Sequence, residues 1–142
     1  MSIACVSGYF DPIHIGHIEY FKTSKKIATK LMVIVNNDEQ ATLKKGRPFM
    51  PVDERIKIIQ ELKCVDYVVS NFKADATSII KEIQPDVYSK GLDYKNNKVD
   101  FTRKILSEKK AVQNIGGKIY YTQSKLFSSS KIINDLSINL NN

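Results

Sequence analysis

The stretch Gly8-Tyr9-Phe10-Asp11-Pro12-Ile13-His14-Ile15-Gly16-His17 determines how the rest of the chain is interpreted. It follows the apolar run at residues 3–7, which predicts a buried strand, and it precedes a helical pattern of apolar residues. Gly8 permits a tight turn and a close approach of the backbone to a ligand. A strand, a turn and a helix in this order predict the first half of a βαβ unit, whose helix N-terminus favours anions.

The two histidines of this stretch are the only histidines of the chain. His14 and His17 are three residues apart, so at the start of a helix they lie on one face. Two imidazoles beside the positive end of a helix dipole predict a phosphate site. Neither a P-loop motif nor a dinucleotide fingerprint occurs in the chain. One competing interpretation is that the two histidines are incidental. Another is that they bind zinc, but zinc would need further ligands, and the chain has neither a third histidine nor a CxxC motif.

Outward from this stretch, short β-rich apolar runs alternate with helical patterns. The alternation predicts an α/β fold: a single domain over residues 1–142 with a Rossmann-like, doubly wound, parallel five-stranded sheet and a frayed tail at 137–142. The predicted strands are residues 3–7, 31–35, 67–69, 87–89 and 118–122. The predicted helices are residues 16–29, 52–62, 75–83, 100–114 and 128–136. Ligands of such sheets bind beyond the carboxyl ends of the strands.

Composition narrows the classes of partner. The chain has 142 residues, 42% of them hydrophobic, and a net charge of +7 that is scattered rather than gathered in one stripe. Scattered charge argues against a nucleic-acid surface. We expect a cytoplasmic protein without a membrane partner, because no apolar run reaches spanning length and the N-terminus lacks a signal-peptide pattern. Cys5 and Cys64 lie in apolar runs, which favours buried thiols over a disulfide.

The complete GYFDPIHIGH stretch resembles the signature of the cytidylyltransferase-like nucleotidyltransferase superfamily, which carries an HxGH element after its first strand. The resemblance extends over about residues 3–134. It implies an enzyme that transfers a nucleoside monophosphate from a nucleoside triphosphate, ATP or CTP, to a phosphorylated small molecule and releases pyrophosphate. It further implies Mg²⁺ bridging the phosphates, and a homodimer.

The resemblance also implies roles for residues around the first two strand ends. His14 and His17 would be catalytic and contact the phosphates. Asp11 is a candidate to orient the substrate or a metal-bound water, and Asp38, in Asn36-Asn37-Asp38-Glu39, would line the substrate site. The nucleotide would further contact Gly8, Tyr9, Phe10 and Gly16.

Basic residues follow in the next two segments. In this superfamily a lysine before an R-P element contacts the triphosphate, and this lysine corresponds here to Lys44 or Lys45. The competing interpretation is that these lysines lie in a solvated loop. An E-x-R element places an arginine near the substrate phosphate, and Arg55 matches it. Arginine suits bidentate phosphate binding. The alternative is a helix-surface arginine paired with an acidic residue one turn away.

The last two strand ends complete the implied nucleotide site. Lys90-Gly91-Leu92-Asp93-Tyr94 resembles the K-G-x-D-Y element of the base and sugar pocket, which assigns Lys90, Gly91, Asp93 and Tyr94 to the nucleotide. Phe127 precedes Ser128, Ser129 and Ser130 at the predicted start of the last helix. Their hydroxyls would cap that helix and also donate to the triphosphate.

Within the superfamily, residues 47–69 and 88–94 look most like the heptose 1-phosphate adenylyltransferase domain, which implies ATP and a sugar phosphate. Leu92 departs from the second glycine of that domain's K-G-G-D-Y. The first alternative is a glycerol 3-phosphate cytidylyltransferase using CTP, although its arginine before the last helix is missing here. A flavin-nucleotide synthetase is a further option. An alternative of another class is a non-catalytic nucleotide- or RNA-binding module.

Overall fold

The computed structural model describes residues 1–38, 48–71, 76–91 and 104–122, the last range by its backbone alone at 104–106. Strands and helices alternate along these ranges, as the sequence pattern predicts. The strands are β1 (Ile3–Gly8), β2 (Lys30–Asn36), β3 (Tyr67–Asn71), β4 (Val87–Gly91) and β5 (Lys118–Thr122). The helices are α1 (Ile15–Lys25), α2 (Val52–Gln60), α3 (Thr77–Ile83) and α4 (Lys104–Asn114).

The five strands form one parallel sheet in the order β3-β2-β1-β4-β5. The chain moves outward from β1 through β2 to β3, then crosses back so that β4 pairs with the other side of β1. The order of strands therefore reverses between β1 and β4. In open α/β sheets this switch point opens a crevice at the carboxyl ends of the strands. The predicted parallel five-stranded sheet is confirmed.

Helices cover both faces of the sheet, which confirms the doubly wound architecture. Successive strand residues point to opposite faces, so Val6 of β1 packs with Phe21 and Ile59 under α1 and α2. Cys5 instead packs with Ile80 and Val112 under α3 and α4. Burial raises the pKa of the Cys5 thiol to about 12, and both cysteines are free thiols. Among the described residues, no helix is long and apolar enough to span a membrane.

Some predicted boundaries shift. Helix α1 ends at Lys25 rather than residue 29, because Thr29 instead exchanges hydrogen bonds with Ser2 just before β2 begins. Strand β4 continues to Gly91, so Lys90 lies within the sheet and not in a loop. The helix predicted at 128–136 and the first residues of the helix predicted at 100–114 lie outside the described ranges.

Acidic side chains hold the amino ends of the strands. Asp66 accepts from the backbone N–H of Leu31 at 2.8 Å and from Lys25 Nζ at 2.5 Å. Asp86 accepts from the backbone N–H of Ile3 at 2.8 Å. Asp66 thus supplies an acceptor for a backbone N–H at the start of β2, and Asp86 supplies one at the start of β1.

Candidate active site

The turn between β1 and α1 is shaped by a buried aromatic ring. Phe10 is 4% exposed, and its backbone adopts a φ of 53°, in the left-handed region. Its ring packs edge-on against His17, with the centroids 5.0 Å apart. A Cβ at Gly8 would lie 2.9 Å from Phe10 Cζ, closer than atoms tolerate. Any side chain at position 8 would therefore force the buried Phe10 ring to shift.

The two histidines form a stacked pair at the N-terminus of α1. Their ring centroids are 3.8 Å apart with an interplanar angle of 27°. His14 is the N-cap residue, and its Nδ1 accepts from the backbone N–H of Gly16 at 3.1 Å. His17 reaches back, and its Nδ1 accepts from the backbone N–H of His14 at 3.2 Å. The pair reproduces the reciprocal geometry of a capping box, with imidazoles in place of the usual hydroxyl and carboxylate.

This capping geometry fixes the chemistry that the rings offer. A neutral imidazole has one donor and one acceptor nitrogen, and here both Nδ1 atoms accept backbone N–H groups. The hydrogen-bond pattern therefore assigns the proton of each neutral ring to Nε2. Two Nε2–H donors on stacked rings at a helix N-terminus are suited to bind the oxygens of one polyphosphate. The prediction that His14 and His17 share one face is confirmed.

Asp11 holds the segment before α2 against this turn. The residue is fully buried, and its two carboxylate oxygens accept from the backbone N–H of Phe49 at 2.8 Å and of Met50 at 2.6 Å. Both oxygens thus contribute to the architecture of the site. Asp11 therefore has a structural role. Its predicted role in orienting the substrate or a metal-bound water stays a prediction.

Arg55 is fully buried, although arginine usually lies at the surface. Its Nη1 donates to the carbonyl oxygens of Tyr9 at 2.7 Å and Asn36 at 2.8 Å, and its Nε to that of Met50 at 3.0 Å. Its Nη2 forms an ion pair with Asp38 at 2.7 Å. The guanidinium therefore connects the ends of β1 and β2 with the segment before α2.

These contacts correct one sequence-based alternative. Arg55 is not a helix-surface arginine paired with an acidic residue one turn away, because its partner Asp38 follows β2 and precedes it by 17 positions. The prediction that Arg55 contacts a substrate phosphate stays a prediction. Asp38 follows the end of β2 and its carboxylate binds Arg55, whereas its predicted place in the wall of the substrate site stays a prediction.

Lys90 belongs to a buried polar network that the sequence did not predict. It is 7% exposed, and its Nζ lies 2.9 Å from Glu108 Oε2 and 3.2 Å from Ser7 Oγ. Tyr88 hydrogen-bonds to both Ser7 and Glu108. Glu108 lies on α4, 18 positions after Lys90, and no local pattern connects the two. Only the fold, which packs α4 over β4, brings them together.

Other predicted site residues fall in two groups. Gly16 lies at the start of α1, and Gly91 ends β4 opposite Thr122 of β5. Outside the described residues lie the following predicted site residues: Lys44, Lys45, Asp93, Tyr94, Phe127, Ser128, Ser129 and Ser130. Within the described part of the chain, no three histidine, cysteine or acidic side chains are grouped to hold a metal ion.

Comparison with known proteins agrees with this geometry. The family model described as cytidylyltransferase-like matches residues 5–135. A FAD synthase from Methanocorpusculum labreanum is 37% identical over 129 residues, 91% of each chain. The bifunctional protein HldE of Blochmanniella floridana is 34% identical over 140 residues, which cover 96% of this chain and 28% of the relative.

The solved structures agree as well. The crystal structure of the lipopolysaccharide core biosynthesis protein from Thermoplasma volcanium GSS1 matches with a TM-score of 0.71 and 27% identity, covering 90% of this chain and 99% of that one. The chain therefore belongs to the cytidylyltransferase-like family and is a nucleotidyltransferase.

Proposed function

We propose that this cytidylyltransferase-like enzyme transfers AMP from ATP to the phosphate group of a sugar phosphate, heptose 1-phosphate or a similar compound, and releases pyrophosphate. The observation that carries the proposal is the stacked His14–His17 pair, which offers two Nε2–H donors at the N-terminus of α1. ATP is favoured as the donor because the similar relatives include FAD synthases and HldE proteins. Heptose 1-phosphate is favoured by the resemblance of residues 88–94 to the heptose enzymes.

In the proposed reaction an acceptor phosphate oxygen attacks the α-phosphorus of ATP, and the bond to the bridging oxygen of pyrophosphate breaks. A phosphate monoester has a second pKa of about 6, so it is mostly dianionic at neutral pH and needs no general base. Catalysis then depends on positioning and on stabilising charge in the transition state. The histidine Nε2–H groups donate to the triphosphate oxygens, where such a donor typically contributes about 3 kcal/mol.

The residues around this pair suggest how the metal would be held. Mg²⁺ would neutralise charge on the phosphates. We propose that phosphate oxygens supply most of its ligands, because the oxygens of Asp11 already accept two backbone N–H groups. The leaving pyrophosphate would contact Lys44 or Lys45 together with Ser128, Ser129 and Ser130, as the family resemblance implies.

A second acceptor, FMN, is favoured by a specific finding. The FAD synthase of Methanocorpusculum labreanum matches over 91% of both chains, whereas the HldE match covers 28% of the relative. FMN also carries a phosphate monoester, so the same histidine pair and the same attack would serve it. The two candidates differ only in what binds beyond the acceptor phosphate.

The experiment is a matrix of pyrophosphate release. ATP or CTP with Mg²⁺ is combined with heptose 1-phosphate, other sugar 1-phosphates, FMN or glycerol 3-phosphate. We expect release with ATP and a sugar phosphate, and little with CTP. Release with ATP and FMN alone would identify a FAD synthase, and release with CTP and glycerol 3-phosphate a cytidylyltransferase. No release with any pair, combined with RNA binding that weakens as salt rises, would refute the enzymatic proposal.

A further inference from the structure

The ion pair between Lys90 and Glu108 is the most deeply buried one described in the fold. The side chains of Lys90 and Glu108 are 9% and 7% exposed. Removing two charges from water costs several kcal/mol per ion, and apolar residues of similar volume often stabilise a protein as well or better. A buried pair is therefore weak evidence for stability, and its position in the fold suggests another role.

That position is the switch point of the sheet. Lys90 lies on β4, one residue before its carboxyl end, and the neighbouring strand is β1. Its Nζ is 3.2 Å from the hydroxyl of Ser7, the residue directly before Gly8 and the histidine turn. The ammonium group thus lies beside the start of the turn that carries His14 and His17.

Glu108 is itself held by several elements. Its Oε2 accepts from Tyr88 at 2.7 Å and from Lys90 at 2.9 Å, while its Oε1 accepts from the backbone N–H of Ala76, before α3, at 3.3 Å. Burial, together with the charge of Glu108, raises the pKa of Tyr88 well above its usual value of 10, so the phenol stays a donor. A carboxylate fixed by two other donors, the Tyr88 hydroxyl and the Ala76 N–H, can hold the lysine ammonium in one place.

We propose that Glu108 is a positioning residue for nucleotide binding: it fixes the Lys90 ammonium at the carboxyl edge of β4, where Lys90 contacts the bound nucleoside triphosphate. This inference rests on the proposed function for the identity of the ligand. It adds a residue of α4 to the site. Without the carboxylate, the buried ammonium loses its counter-ion and leaves this position, since an unpaired buried charge is strongly unfavourable.

The test measures ATP affinity by calorimetry in the full chain, with KM and kcat from pyrophosphate release. We expect Glu108→Gln to raise Kd and KM for ATP about tenfold or more, as expected for the loss of a charge-assisted hydrogen bond. The value of kcat changes much less. Glu82→Gln, at an exposed position of α3, is the matched control and leaves both values unchanged. Unchanged Kd and KM in a folded Glu108→Gln variant would overturn the proposal.

Two further variants separate positioning from stability. Replacing both partners, Lys90→Met with Glu108→Met, leaves no buried charge unpaired, although Tyr88 and the Ala76 N–H lose Glu108 as acceptor. Its melting temperature should therefore fall less than that of Glu108→Met alone. It should still bind ATP as weakly as Lys90→Met alone. Recovery of wild-type ATP affinity in this double variant would show that the pair serves only the fold.

A double-mutant cycle adds a third readout. If Glu108 acts through Lys90, adding Glu108→Gln to Lys90→Met changes Kd for ATP little further, and additive effects would contradict the proposal. The calorimetric Kd does not require turnover. A chain that binds ATP without transferring AMP would therefore refute the proposed function alone, whereas a chain that binds neither ATP nor CTP would overturn both proposals.

Discussion

The two ends of the parallel sheet use charged side chains in different ways. At the amino ends, the side chain of Asp66 is 22% exposed and bonds to Lys25 and to the backbone N–H of Leu31 near the start of β2. At the carboxyl ends, Asp11 and Arg55 are fully buried and bond to backbone groups of segments distant in sequence. Both ends supply side-chain partners to backbone groups, but only the carboxyl end does so with fully buried side chains.

This difference indicates where the molecule tolerates change. A partly exposed carboxylate that is lost can be replaced by water, so its removal costs little. A buried charge that loses its partner has no such replacement, and the cost is several kcal/mol. The carboxyl end therefore holds the His14–His17 turn at a fixed position by contacts that are costly to break, as a catalytic site requires.

The largest effect is expected at Arg55. Arg55→Met keeps much of the side-chain volume but leaves the carbonyl oxygens of Tyr9, Asn36 and Met50 without their donor. We expect the free energy of unfolding to fall by about 3–5 kcal/mol, measured by urea denaturation. Lys57→Met, at an exposed position of the same helix, serves as control. A loss below about 1 kcal/mol would remove the distinction between the two ends of the sheet.

A smaller effect is expected at Asp11. Asp11→Asn replaces one acceptor oxygen with an amide group that cannot accept from the backbone N–H of Phe49 or Met50. The expected loss of stability is about 1–3 kcal/mol. Because the segment before α2 also loosens from the histidine turn, turnover should fall too. Stability equal to that of the exposed control Glu61→Gln would show that the carboxylate is not needed there.

The smallest effect is expected at Asp66, at the amino end. Desolvation opposes the shift, but the hydrogen bonds from Lys25 and from the Leu31 N–H lower the pKa of Asp66 below 3.8. A lowered pKa in the folded state adds stability above the unfolded pKa, and this contribution disappears as pH falls through the folded value. Asp66→Asn should cost no more than about 1 kcal/mol at pH 7.

The pH dependence checks the sign of this effect. The difference in unfolding free energy between wild type and Asp66→Asn should shrink as the pH falls below 3.8. A difference that stays constant from neutral pH through this range would contradict the assignment of the charge to the folded state.

The sequence predicts the fold well because its signals are local. Apolar runs mark the five strands, and the glycine and histidines after the first strand mark the site. The contacts made by Arg55 and Glu108 were not predictable in the same way. The sequence marks Arg55 as a candidate phosphate ligand, but it does not reveal the contacts with Tyr9 and Asn36, which lie 46 and 19 positions away. Glu108 lies in a charged helical segment, and only the return of α4 onto the sheet after β4 places it beside Lys90.

The hydrogen bonds of the histidine cap also could not be predicted from the spacing of the two residues. A three-residue separation predicts a shared face but not that each Nδ1 accepts a backbone N–H. That detail determines which nitrogen carries the proton, and so where a phosphate oxygen can bind. Homodimerisation and the roles assigned to Lys44, Lys45 and residues 127–130 stay predictions from the family resemblance.

The most direct test of the account is transfer of the α-phosphate of ATP to the acceptor by His17→Asn. The asparagine Oδ1 can replace Nδ1 as acceptor for the His14 N–H, so the cap of α1 and the melting temperature should be retained. The variant lacks the Nε2–H donor, and turnover should fall about a hundredfold or more. A folded His17→Asn variant with wild-type turnover would show that the histidine pair only caps the helix, and would contradict its role in phosphate binding.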